Sequence, residues 1–316
     1  RNFSATVEVL GHLQLRDPEG HVPWPIVAER EHYPNGKGEG PVDPAIREGR
    51  WLTGADFDVE SFVWKPDGTL VVGEEFGPFL LHFDAEGVLL GPPVGLPGVM
   101  SPQHPRRAAR EAEGVEVNLN ASEGLEGLAI DPSGAIVYPM LEGVPRGGDW
   151  TELAGRLPIM AFKTENLEPL PMVYPYPLDE GARAIGELTA VGPQKFLVLE
   201  RGPGQGENAR VKRVYFTTAW RLHKAMADAS FPAKKLVVDL LDIADPHDLN
   251  GDGADRYAMP FVTIESLARV DERTLLVVND NNYPFSVGRH TETPQPDDTE
   301  FALIRLDADW MKRAEE

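Results

Sequence analysis

The chain has 316 residues, no cysteine, 41% apolar residues and a formal net charge of −21. The lack of thiols excludes disulfides and cysteine nucleophiles, and the acidic balance argues against nucleic acid as a partner, because phosphate backbones select Lys and Arg. No run of about 18 apolar residues is available to span a bilayer, whereas 31 Gly and 29 Pro suit many short strands joined by turns.

Taken in chain order, "ATVEVLGHLQL" (5–15) alternates like a strand. The Pro- and Gly-rich stretch "HVPWPIVAEREHYPNGKGEGPVDP" (21–44) reads as a loop with little part in a core. Four similar units then follow: "VESFVWKPDGTLVVGEE" from Val59, "LEGLAIDPSGAIVYPMLE" from Leu125, "GELTAVGPQKFLVLERG" from Gly186 and "IESLARVDERTLLVVND" from Ile264. Each has a Glu near its start (Glu60, Glu126, Glu187, Glu265), a short apolar run, a polar turn and a second apolar run. The second run ends in acidic or amide groups: Glu74 and Glu75, Glu142, Glu200, Asn279 and Asp280. One such unit is a β-hairpin. Four of them, with the Glu residues 66, 61 and 78 positions apart, are a repeat.

Each unit extends by one or two strands, for example "LLHFDAEGVLL", "PMVYPYPL", "RVKRVYFTT" and "EFALIRLDADW". Three or four antiparallel strands per repeat describe the blades of a β-propeller. The expected fold is therefore an all-β propeller of four-stranded blades, five or six in number with six favoured, forming one domain over 1–316. A short helical insertion is expected around 219–229, in "AWRLHKAMADA". In such a fold the first strands line a central channel, and the repeated Glu residues, Glu126 among them, are expected to face its axis. Carboxylates gathered there repel one another unless a cation or an Arg neutralises them.

"DPHDLNGDGADRY" (245–257) offers Asp248, Asn250 and Asp252 before Gly253, the spacing that opens a calcium loop. Met259 stands where an EF-hand would place its bidentate Glu, so a calcium-binding surface loop is expected, with Asp242, Asp245 and Asp255 available to complete the shell. Further metal candidates are Glu60, Glu265 and Asp280, since hard oxygen donors suit Ca²⁺ foremost and also Mg²⁺. A channel cation can polarise an ester oxygen and activate water without a Ser or Cys nucleophile. The candidate catalytic set is Glu126, Glu187, Glu200 and Arg201. Substrate contacts are expected from Glu75, Glu142, Arg183, Asn281, Arg289 and His290, with Arg supplying paired N–H donors to an anionic group.

Four segments, "LTGADFDVESFVWKPDGTLVVGEEFGPFLLHFDAEGVLL" (52–90), "SEGLEGLAIDPSGAIVYPMLEG" (122–143), "IGELTAVGPQKFLVLERG" (185–202) and "IESLARVDERTLLVVNDNN" (264–282), resemble the phytase-like, or "esterase-like activity of phytase", family of bacterial β-propellers. The resemblance runs from about residue 52 to 305. It implies an exported protein, extracellular or periplasmic, that hydrolyses phosphate or other esters of small molecules. It also implies propeller sequence ahead of "TGADFD", so a separate N-terminal fragment is an expected partner that completes the propeller. Two alternatives remain at this stage: a calcium-dependent lactonase or phosphotriesterase, and a non-enzymatic secreted calcium-binding propeller used for ligand binding or scaffolding.

Overall fold

The computed structural model describes residues 8–34, 40–293 and 295–316. Among the described residues, four antiparallel sheets of three or four strands, each a meander of consecutive strands, place the protein in the all-β, β-propeller class. Two compact units share these sheets, residues 9–173 and residues 174–316.

In the first unit, β1 (Val59–Trp64), β2 (Leu70–Glu74), β3 (Phe79–Phe83) and β4 (Val94–Gly95) form one blade in that order. The second blade is β5 (Leu125–Ile130), β6 (Ile136–Leu141), β7 (Leu157–Lys163) and β8 (Pro169–Tyr176), of which residues 125–173 belong to this unit. All five residues of β2 are buried, because both faces of the first blade are covered. Val71 and Leu80 pack with Leu125, Leu128 and Val137 of the second blade. The alternate residues Leu70, Val72, Leu81 and Phe83 pack with Val22, Ile26, Leu52 and Phe57. The two-residue side-chain period of a strand divides these sets.

The stretch 21–44 is thus not the peripheral loop expected from its composition. Val22, Ile26, Val27, Ala28 and Val42 are buried. The Asp56 carboxylate holds this cover in place by accepting the N–H groups of Val27 at 2.7 Å and Thr53 at 2.9 Å. The strand expected over 5–15 lies outside the described residues up to residue 7, and residues 8–15 form no strand. Val9 and Leu10 are 84% and 90% exposed, so among the described residues neither has the burial that would hold a strand.

In the second unit, β9 (Ala184–Gly192), β10 (Lys195–Arg201), β11 (Lys212–Thr218) and β12 (Lys234–Asp239) form a blade with consecutive strands as neighbours. The expected helix is present as Ala219–Ala227, started by the Thr218 hydroxyl, which accepts the Arg221 N–H at 3.1 Å. A two-stranded ribbon, β13 (Ile243–Ala244) and β14 (Arg256–Tyr257), brackets the Asp248 loop. The last sheet, β15 (Thr263–Arg269), β16 (Thr274–Asp280) and β17 (Phe301–Arg305), has three strands among the described residues. Leu197, Leu199, Val214 and Phe216 share one core with Ile264, Leu267, Leu275 and Val277.

Among the described residues, four blades stand where five or six were expected. The described residues of the N-terminal cover and of long connections such as 96–124 and 281–300 carry no blade strands.

Candidate functional site

The first strand of every blade carries a β-bulge near its start. In β1, β5 and β15 the residue left out of the pairing register is the repeated Glu: Glu60 lies between Val59 and Ser61, Glu126 between Leu125 and Gly127, and Glu265 between Ile264 and Ser266. A bulge inserts one residue, twists the strand and re-aims a side chain. In β9 the bulged residue is Gly186, between Ile185 opposite Glu200 and Glu187 opposite Leu199. Glu187 therefore sits one position beyond its expected equivalents, where Ser61 and Ser266 stand in the other blades. Its carboxylate accepts the N–H of Leu188 at 2.8 Å.

In the unit 9–173, the bulge brings Glu60 to a carboxylate cluster. One oxygen each from Asp58, Glu60 and Glu75 lie within 4.8 Å of one another. The backbone builds this proximity, since the Asp58 carbonyl accepts the Glu75 N–H at 2.9 Å, just beyond the β1–β2 pairing of Val59 with Glu74. Next to it, Glu74 is fully buried and fastens the turn into β3, accepting N–H groups from Phe76, Gly77 and Phe79 at 2.7–2.9 Å. Burial pushes the Glu74 carboxyl up to about 8 in spite of these donors. Burial likewise raises Asp58, against a side-chain hydrogen bond with Glu60 that acts the other way. Gly124 closes the cluster from the second blade, since a Cβ there would lie 2.5 Å from the Glu75 carbonyl oxygen. Glu126 is buried in β5, and Glu142 is half-buried beyond β6, its N–H bonded to the Gly124 carbonyl at 2.9 Å.

In the unit 174–316, Arg201 and Glu265 form an ion pair at 3.3 Å, and the Arg201 Nε donates to the Ile185 carbonyl at 3.3 Å. Lys212, fully buried, donates to the carbonyls of Gly202 and Val262 at 2.6 and 2.7 Å. Burial, and then the Arg201 charge, lower its ammonium to about 8. Glu200, adjacent to Arg201 on a strand and so on the opposite face, has no exposure. Its carboxylate accepts the Tyr176 hydroxyl at 2.5 Å, the Asp179 N–H at 3.0 Å and the Lys234 ammonium.

The remaining expected residues stand on loops and strand ends of the unit 174–316. Asp248, Asn250 and Asp252 share one exposed loop, in which Asp248 accepts the Gly253 N–H at 3.0 Å and Asp252 the Ala254 N–H at 2.8 Å. Asp280 and Asn281 cap the turn after β16 by accepting the N–H groups of Asn282 and Tyr283. Arg289 is bound to Glu300 at 2.7 and 2.9 Å and to the Ala258 carbonyl at 2.9 Å. Arg183 is exposed and His290 half-buried. Of the expected residues, the structure brings Glu60 to Glu75, Arg201 to Glu265, and Asn250 and Asp252 to one hollow with Arg289. Asp58, which joins the first pair, was not anticipated. Its signal is the spacing in "DVE", which puts residues 58 and 60 on one side of an extended chain.

These blades define a protein of the β-propeller class. The chain belongs to the phytase-like family described as "Esterase-like activity of phytase", whose match spans residues 2–283. No curated protein matches it. Among solved structures it is similar to one titled "Structure of U3-55K", at 9% identity and a TM-score of 0.36, covering 71% of this chain and 59% of that one. It is also similar to the Saccharomyces cerevisiae protein Sqt1, at 12% identity and a TM-score of 0.33, covering 73% of this chain and 47% of that one. The chain thus spans about half the length of these structures. No helix among the described residues is long and apolar enough to cross a membrane.

Proposed function

We propose that the protein is a metal-dependent ester hydrolase of the phytase-like type, acting on phosphoric esters outside the cytoplasm. The observation that carries this is the convergence of Asp58, Glu60 and Glu75 in a member of that family. Three carboxylates offering oxygens within 4.8 Å of one another match the hard donors preferred by Ca²⁺ or Mg²⁺. The Asp58–Glu60 hydrogen bond fits as well, because two carboxyl groups this close need a shared proton or a cation between them. When bound, a divalent cation supplies Lewis-acid polarisation of a phosphoryl or carbonyl oxygen.

The chain's own residues have distinct parts in this scheme. Asp58, whose carboxyl burial raises above its ordinary value, gives up its proton when a cation takes its oxygen. Glu60 owes its position to the bulge and Glu75 owes its own to the Asp58 carbonyl, so the strand ends pre-organise the donors. With a net charge of −21, the protein needs a cation to accept a phosphate at this cluster.

The test is hydrolysis of p-nitrophenyl phosphate and p-nitrophenyl acetate, with Ca²⁺ or Mg²⁺ and with chelator, in the wild type and in Glu75→Gln. Metal-dependent turnover of the phosphate, lost in the variant, supports the proposal. Turnover of the acetate alone moves the substrate to carboxylic esters or lactones. A metal that raises the melting temperature without turnover of either ester leaves a binding propeller.

A further inference from the structure

Apart from the carboxylate cluster, the unit 9–173 contains a cleft of about 530 Å³ between residues 23–24, 77–79, 93–100 and 104–115. One wall is aromatic. Phe79 stands between Trp24, stacked on it at a centroid distance of 5.1 Å, and His104, tilted against it at 5.1 Å. Leu96, Val99 and Met100 continue the apolar lining.

The rim is cationic. Arg106 and Arg110 both line the cleft, and with Arg107 they place three Arg residues within five positions of a chain with net charge −21. Arg107 and Arg110 are paired with Glu111 and Glu113 at 2.9 and 2.7 Å. Arg106 has no carboxylate partner within ion-pair distance among the described residues. His104 adds a directed donor: its Nδ1 accepts the Arg106 N–H at 3.0 Å, so a neutral ring carries its proton on Nε2. Burial, followed by the charges of Arg110 and Arg106, lowers the His104 pKa and keeps that ring neutral.

The cleft is also held in shape. The Gly98 carbonyl accepts from both the Trp150 indole at 2.7 Å and the Asn118 amide at 2.8 Å. Asn118 in turn accepts the Met100 N–H at 2.9 Å, and the Ser101 N–H bonds to the Gly77 carbonyl at 3.2 Å. These bonds tie the 93–101 loop to the turn bearing Phe79. A preformed, mostly apolar hollow with a few converging polar groups is the usual form of a small-molecule site.

We propose that this cleft binds a planar organic anion, an aromatic ring bearing a carboxylate or a phosphate-type group, with the ring against the Trp24–Phe79–His104 wall and the oxyanion at Arg106 and Arg110. The ring accounts for the aromatic wall, and the anion for the cationic rim on an otherwise acidic protein. This site does not depend on the hydrolase proposal.

Calorimetric titration with benzoate, phenylphosphonate, cyclohexanecarboxylate and inorganic phosphate, all in chelator, tests it. Benzoate or phenylphosphonate is expected to bind at least about tenfold more tightly than its non-aromatic counterpart, and whichever of the two is tighter identifies the anionic group. The double variant Arg106→Gln, Arg110→Gln changes side chains at the surface, so its melting temperature should match the wild type. It should bind the aromatic anions about tenfold or more weakly, as expected for the loss of charge-assisted hydrogen bonds. Equal affinity in wild type and variant, binding of inorganic phosphate as tight as phenylphosphonate, or no binding of either aromatic anion would overturn the proposal.

Discussion

Gly186 approaches the carbonyl oxygen of Ile264 so closely that a Cβ on it would lie 2.0 Å away. This contact joins β9 to β15 at the bulges of their two blades, and it accounts for the one blade in which the repeated Glu is displaced. No side chain fits where Glu60, Glu126 and Glu265 stand in the other three, so the acidic residue of β9 falls one position later.

Gly186→Ala is accordingly expected to destabilise the protein by about 1–3 kcal/mol or more, because backbone rather than a yielding side chain blocks the new methyl group. Urea unfolding measures this. An unchanged midpoint would mean that β9 and β15 separate at no cost.

The metal cluster leads to a prediction about pH. Cation binding must displace the proton that Asp58 holds with raised affinity, so binding should tighten as pH rises above the ordinary carboxylate value. Asp58→Asn removes that competing proton along with one ligand. It should bind Ca²⁺ or Mg²⁺ more weakly and with a shallower pH dependence. Titration calorimetry at several pH values reads both quantities, and an identical slope in the variant would remove Asp58 from the site.

Glu74 governs a second pH effect. Its carboxyl rises from 4.5 to about 8 on folding, so the folded state holds the proton more tightly. That contribution is complete below 4.5 and is lost as pH rises through about 8, at a rate on the order of 1 kcal/mol per pH unit. Stability should therefore decline over this range in the wild type. Glu74→Gln, permanently neutral, should flatten the decline in thermal melts. A wild type equally stable at both ends of the range would show that the three backbone N–H donors keep Glu74 ionised.

The buried Glu200 site should behave as a structural ion pair. Lys234 stacks over the rings of Tyr176 and Tyr215 at 4.9 and 4.4 Å while its ammonium serves Glu200 and the Pro177 carbonyl. Lys234→Met leaves the carboxylate without its cation and should cost about 3–5 kcal/mol. Adding Glu200→Gln should recover part of that loss. Denaturant unfolding of the single and double variants checks the coupling, which is absent if the two losses simply add.

Much of the blade architecture was legible in local pattern. The hairpins of "TLVV", "AIVY", "FLVL" and "TLLVV" appear at the expected places because alternation, turn residues and β-branched runs act over a few residues. The helix after Thr218 was legible for the same reason. The repeated Glu residues were visible too, but their equivalence was misjudged in β9, since matching by residue type cannot detect a register set by Gly186 against a strand 78 residues away. What joins Asp58 to Glu75 is β1–β2 pairing, which spacing within one segment does not reveal.

Composition and short-range pattern determined on their own that this is an acidic, cysteine-free, all-β chain of repeated hairpins with carboxylates at the strand starts. Those properties follow from residues near one another along the backbone. Tertiary structure decided the number of sheets, the burial of the Pro-rich cover and the fate of each carboxylate. Glu60 joined Asp58 and Glu75, Glu265 met Arg201, and Glu200 was buried under Lys234. Which charged groups share a small volume depends on strand pairing and bulges across long stretches of chain, and no periodicity within a single segment encodes that.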